Sequence, residues 1–224
     1  MRIALAAAIA AVVLMPAAAL AEPAGQYQID GLNTDQTAYA GTATVERTGD
    51  VYKADWNING SQFAGTGIAY MNFFAVAYMA PNNTKGLFVS TLEGDALVGL
   101  STNLTTGQGG AVVWHHQTVP PVPNIAAAAS DNAVGHYLIS GTRPDGSTYQ
   151  GEVVVESVGG TYKVDWNIAG RRSSGMGIGF LNFVAVSYGV AKGVALFVKE
   201  GDGRLGVWVN EGSQKMGAER WIRN

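Results

Sequence analysis

Two stretches, Tyr52-Lys53-Ala54-Asp55-Trp56-Asn57-Ile58 and Tyr162-Lys163-Val164-Asp165-Trp166-Asn167-Ile168, carry nearly the same text 110 residues apart. In the first, Tyr52, Ala54, Trp56 and Ile58 fall on alternate positions, with Lys53, Asp55 and Asn57 between them. The second repeats the split with Tyr162, Val164, Trp166 and Ile168 against Lys163, Asp165 and Asn167. A period of two with one apolar and one charged side is the pattern of a half-buried β-strand. The indoles therefore point into a core, and the ionised groups are left to water.

The match extends well beyond this strand. Gly25–Tyr78 aligns with Gly135–Tyr188 without a gap, with 25 of 54 positions identical. After small length changes, Leu87-Phe88-Val89 aligns with Leu196-Phe197-Val198, and Gly110, Ala111 and Trp114 with Gly217, Ala218 and Trp221. A unit of about 90 residues, large enough for a modest core of its own, is thus written twice. Within the first copy, turn residues separate eight β-rich segments: 26–30, 40–47, 51–58, 63–70, 73–79, 86–91, 96–102 and 111–116. Connections this short imply antiparallel neighbours, and closing an eight-strand meander into a barrel removes its two exposed edges. The expected fold is all-β: two tandem, homologous eight-stranded antiparallel meander barrels. Residues 22–118 form repeat 1 and 135–224 repeat 2. Between them, 119–134 is a Pro/Ala linker built on Val119-Pro120-Pro121-Val122-Pro123.

Residues 1–21 read as a signal peptide. Met1-Arg2 supplies the positive start, Ile3 to Met15 an apolar run, and Ala19-Leu20-Ala21 the small residues before a cleavage site. The run is short against the ~20 residues that span a bilayer, and no later segment approaches that length, so the mature chain is expected to be exported, periplasmic or extracellular, without a membrane span. Composition narrows the function classes. A formal charge of −3 and only 14 basic residues exclude a nucleic-acid footprint. With no Cys and three His, thiol chemistry, disulfide staples and His-rich metal centres are excluded as well. Stability must come from packing alone.

No residue set meets the needs of catalysis. His115 and His116 are strand neighbours on opposite faces and cannot chelate one ion together, so they read as solvated strand-end residues. Glu46 with Asp55, and Glu156 with Asp165, face outward beside Lys53 and Lys163, as cross-strand ion pairs would. There is no Gly-x-Ser-x-Gly elbow, and the acidic turns at Glu93-Gly94-Asp95 and Glu200-Gly201-Asp202-Gly203 offer too few oxygens for calcium. The remaining candidates are aromatic. Tyr52, Trp56 and Trp114, with Tyr162, Trp166 and Trp221, either fill the barrels or line a cavity for one small molecule, since eight strands allow both. Filled lumens are the expectation; the ligand cavity is the alternative.

Gly141-Thr142-Arg143-Pro144-Asp145-Gly146, Asp165-Trp166-Asn167-Ile168-Ala169-Gly170, Phe183 to Tyr188 and Gly201-Asp202-Gly203-Arg204-Leu205-Gly206-Val207-Trp208 together resemble a family of small exported alphaproteobacterial proteins, some labelled fibronectin-binding. Repeat 1 departs from the pattern, with Leu32-Asn33-Thr34 before Asp35 and Ser101 where repeat 2 has Trp208. The label implies extracellular-matrix binding; export, duplication, a Gly/Thr/Asn-rich surface and the lack of a catalytic set lead to the expectation of an exported binding or adhesion-type module acting through loops or outer sheet faces. In outline the meander is also similar to the calycins, the avidin and lipocalin barrels, which would imply a carrier of a small apolar or aromatic ligand. Both readings expect a non-catalytic monomer without cofactor, its partner either a protein or a small apolar molecule. If the indoles face inward, Trp166→Ala should destabilise repeat 2 by ~3–5 kcal/mol, visible as an early or lost melting transition; an unchanged transition would place Trp166 on the surface.

Overall fold

The structure, a computed structural model, describes residues 22–116, 132–189 and 193–224. The expected signal segment 1–21 and linker residues 119–131 lie outside the described residues. The first barrel runs β1 Gly25–Leu32, β2 Ala38–Thr48, β3 Val51–Ile58, β4 Ser61–Tyr70, β5 Phe73–Ala80, β6 Thr84–Glu93, β7 Ala96–Asn103 and β8 Gly109–His115. The second runs β9 Gly135–Thr142, β10 Thr148–Val158, β11 Thr161–Ile168, β12 Arg171–Phe180, β13 Phe183–Tyr188, β14 Gly193–Glu200, β15 Gly203–Val209 and β16 Gly217–Arg223. Every neighbouring pair is antiparallel. β8 returns to β1 through pairs such as Gln28 with His115, and β16 to β9 through pairs such as Ile139 with Trp221, so both sheets close. The β3–β4 hairpin shows how local chemistry sets register: its two-residue turn is Asn59-Gly60, with both φ values positive (50° and 82°), as the twist of a tight hairpin demands.

Inward positions alternate as expected. Tyr27, Ile29, Ala43, Val45, Trp56, Val76 and Trp114 fill much of barrel 1, and Tyr137, Ile139, Val153, Val155, Trp166, Val186 and Trp221 do the same in barrel 2. One end of each barrel is capped by the incoming chain, where Tyr27 donates to the Pro23 carbonyl at 3.0 Å and Tyr137 to that of Ala133 at 2.8 Å. The charged rows lie outside, although the ion pairs run along the strand rather than across it. Lys53 reaches Asp55 at 2.8 Å and Lys163 reaches Asp165 at 2.6 Å, because those side chains sit two residues apart on one face.

The ladders correct part of the repeat alignment. Val76 pairs with Phe88, whereas the matching Val186 pairs with Ala195. Ala195 therefore stands where Phe88 stands, and Phe197 stands where Ser90 does. Matching Leu-Phe-Val to Leu-Phe-Val shifted β14 by two residues, which preserves the facing parity and so hides the slip. β13 and β14, each two residues shorter than β5 and β6, absorb the difference.

A third core joins the two barrels. The outward residues of β5 and β6, Phe73, Ala75, Ala77, Leu87 and Val89, pack against Phe183, Ala185, Val194, Leu196 and Val198 from β13 and β14, with Ile68 and Ile178 alongside. Phe73 and Phe183 hold the same position in the two copies, and their ring centroids are 4.3 Å apart. Away from this contact the pairs exchange. The Gly49 turn lies on Gln214, whose carbonyl accepts from Asp50 N at 2.9 Å, while the matching Gly159 turn lies on Gly107. Residue i touching j′ while i′ touches j is the signature of a two-fold contact, here within one chain. Self-sufficient cores in separate barrels are therefore only part of the arrangement. Double burial also explains why Phe73–Ala80 and Gly193–Val198 read as unbroken apolar runs rather than alternating ones. Phe73→Ala and Phe183→Ala should each cost ~3–5 kcal/mol in urea denaturation. Together they should fall short of additivity by ~0.5–1.5 kcal/mol, the usual coupling of an aromatic pair; strict additivity would mean that the rings act independently.

Candidate functional site

Both barrels open at the end opposite the tyrosine caps, where the odd-to-even hairpins form a rim. In barrel 1 this mouth leads into a cup of about 590 Å³. Its wall is aromatic: Trp56 lies parallel to Phe63 (centroids 5.2 Å, 14° between planes) and edge-on to Trp114 at 5.5 Å. Trp114 stacks on Phe88 at 4.1 Å and 4°. The rim is polar but uncharged, carrying Asn33, Thr34, Asn59, Ser61, Asn103 and Gln108. Tyr39 and Tyr78 complete the lining; burial pushes both phenols well above their usual range, so they stay neutral donors. Tyr78 and Ser101 share a hydrogen bond at 2.8 Å.

Barrel 2 uses the same scaffold differently. Register equates Ser101 with Trp208, Val112 with Glu219, Leu97 with Arg204 and Phe63 with Ser173. The cross-strand pair Phe88–Ser101 of barrel 1 is thus Ala195–Trp208 in barrel 2, a large ring moved from one strand to its neighbour. The Trp208 indole lies over Gly217, whose missing side chain leaves its place to the ring (a Cβ there would stand 2.4 Å from Cε2). The cup shrinks to about 170 Å³.

At its floor lies Glu219, only 4% exposed. Its Oε1 accepts from Trp166 Nε1 at 3.0 Å and Trp221 Nε1 at 2.5 Å, and its Oε2 accepts from the Tyr149 hydroxyl at 2.6 Å. Tyr149 reaches it by lying across Gly141, where a Cβ would stand 2.3 Å from its Cζ. Arg143 stands over the same ring at 4.8 Å, at the mouth. Desolvation raises the Glu219 pKa above its ordinary 4.5, against the lowering effect of its three donors. The expectation that all ionised groups face water therefore fails in barrel 2, where Glu219 and Arg204 are both inside. Sequence reading passed over Glu219, although its parity with Trp221 two residues on places it on the inward face of β16.

The six sequence-selected residues divide. Trp56 and Trp114 line the larger cup and Trp166 the smaller one. Trp221 supports Glu219 from behind, and Tyr52 and Tyr162 pack in the cores without lining either cup. The expectation of filled lumens gives way in barrel 1, because Ser101 and Val112 leave unfilled the space that Trp208 and Glu219 occupy in barrel 2. His115 is not a solvated strand end. It is 5% exposed and hydrogen-bonded through Nε2 to Asp30 Oδ2 at 2.8 Å, while His116 is exposed and stacks on Tyr27 at 4.6 Å. No family model matches the chain, and no curated protein matches it in sequence.

Because the native Glu219 carboxyl keeps its proton to higher pH than the unfolded one, its contribution to stability is greatest below about pH 4.5. That contribution declines as pH rises through the raised native value. Urea midpoints measured from pH 4 to 8 should fall more steeply for the native chain than for Glu219→Gln. Parallel profiles would mean that Glu219 titrates normally.

Proposed function

We propose that the chain is a non-catalytic exported carrier whose ligand sits in the barrel 1 cup. The observation that supports this most directly is the cup itself. Its volume of about 590 Å³ falls within the ~300–1,000 Å³ of small-molecule sites, its walls are aromatic, and most of its polar groups gather at the rim. Flat rings set parallel and edge-on suit a ligand with an apolar or aromatic face. Amide and hydroxyl groups at the rim suit hydrogen bonding by an uncharged ligand edge, since among the described residues neither a carboxylate nor a cationic side chain lines the cup. A charged ligand would lose its hydration there without a partner. Export, on this reading, follows from the segment 1–21.

An adhesion-type module working through loops or outer sheet faces is the competing reading. The apolar outer faces of β5, β6, β13 and β14 are buried in the seam between barrels, which leaves such a module mainly the rim loops and the charged rows. Tryptophan quenching across a panel of neutral aromatic and apolar compounds separates the two. Saturable quenching is expected for the carrier, and Ser101→Trp, which imports the residue of barrel 2, should fill the cup and weaken binding at least ~10-fold with the fold intact. A flat response to the whole panel, or full binding by Ser101→Trp, would overturn the carrier reading.

A further inference from the structure

The barrel 2 cup has a chemistry that barrel 1 lacks. Its floor is a carboxylate removed from water, and all three groups that hydrogen-bond it are neutral: two indole N–H groups and a phenol. Neutral donors stabilise the oxygens but do not cancel the charge. Buried Arg204 pairs in register with Trp221 further from the mouth and does not line the cup; the cation that does, Arg143, stands at the mouth on the outer face of the Tyr149 ring and donates to Ser147 Oγ and the Thr148 carbonyl, both at 3.3 Å. Around the cup stand the rings of Trp166, Tyr188, Trp208 and Tyr149. Burial holds both tyrosines in the neutral form, so their faces remain electron-rich without bearing charge.

We propose that this cup is a second binding site, separate from that of barrel 1, for a small organic cation of the alkylammonium class. Three features select that class. A buried carboxylate attracts positive charge more strongly than it would in water, because the surrounding dielectric is low. Aromatic faces attract the diffuse charge of a methylated ammonium, which sheds its weak hydration readily; Arg143 already makes this kind of contact with Tyr149 at the mouth, 4.8 Å from the ring centre. The volume, about 170 Å³, excludes larger ligands and leaves no room for a full hydration shell. Barrel 1 serves as the internal contrast, with Val112 in place of the carboxylate and Ser101 in place of the Trp208 ring.

The test uses the full mature chain and the Trp indole N–H resonances, which report the two barrels separately. Choline is titrated against 3,3-dimethylbutan-1-ol, its uncharged isostere. Choline should shift the Trp166 and Trp221 signals saturably at millimolar concentration, leave those of Trp56 and Trp114 in place, and bind at least ~10-fold more tightly than the alcohol. Glu219→Gln, which keeps the shape and removes the charge, should weaken choline binding at least ~10-fold. Should that variant fail to fold, the comparison of choline with its isostere on the native chain still decides. Equal affinity for the two probes, no shift with either, or undiminished binding by folded Glu219→Gln would each overturn the proposal. The barrel 1 reading is decided by the Ser101→Trp variant and this one by the Trp166 and Trp221 resonances and Glu219→Gln, so failure of either leaves the other result intact.

Discussion

The contact of Phe73 with Phe183, and the apolar seam around it, is the constraint on which both barrels depend. A unit of about 90 residues without disulfides has little surplus stability, and a lumen that keeps a cup forgoes part of the packing that would supply it. Burying the outer face of β5 and β6 against that of β13 and β14 offsets this loss. The same strands then serve two cores at once: Phe74 and Val76 look into the lumen while Phe73 and Ala75 look across the seam. Because the seam is two-fold, matching positions of the two copies, Phe73 and Phe183 above all, meet across it.

The divergence that separates the two cups lies in the lumens. The frame residues keep their places in both copies: the Trp56 and Trp166 indoles, the capping Tyr27 and Tyr137, and the axial phenylalanines. Inward sites that differ between the copies change in compensating sets. A ring leaves β6 and reappears on the strand after it, as Phe88–Ser101 becomes Ala195–Trp208. Apolar Leu97 and Val112 become Arg204 and Glu219, two buried charges in place of none. Burying Glu219 is tolerable because three donors surround it, and each donor is in turn fixed by packing. One scaffold thus carries a roomy neutral cup and a tight acidic one.

Much of this was legible in one dimension. Strand three, read as Tyr52-x-Ala54-x-Trp56-x-Ile58, specifies which side is dry, and the 110-residue echo specifies that the solution is used twice. Glu219 is legible too, by its parity with Trp221, but the donors that make its burial tolerable, Tyr149 and Trp166, lie 70 and 53 residues away in the chain. The unbroken apolar text of Phe73–Ala80 likewise signalled a strand buried on both faces.

Local period, turn chemistry and repetition are properties of neighbouring residues, so the all-β class, the place of each strand to within about two residues and the closure into twin meanders followed from the amino-acid order alone. The size of each cup, the partner of the seam and the register of β14 did not. Those depend on which side chains from strands far apart in the chain arrive at the same point, and a shift of two residues leaves every alternation pattern unchanged while replacing Phe88 by Ala195 in the wall. Only the closed ladders, by pinning distant strands to one another, decided where rings meet and where space remains.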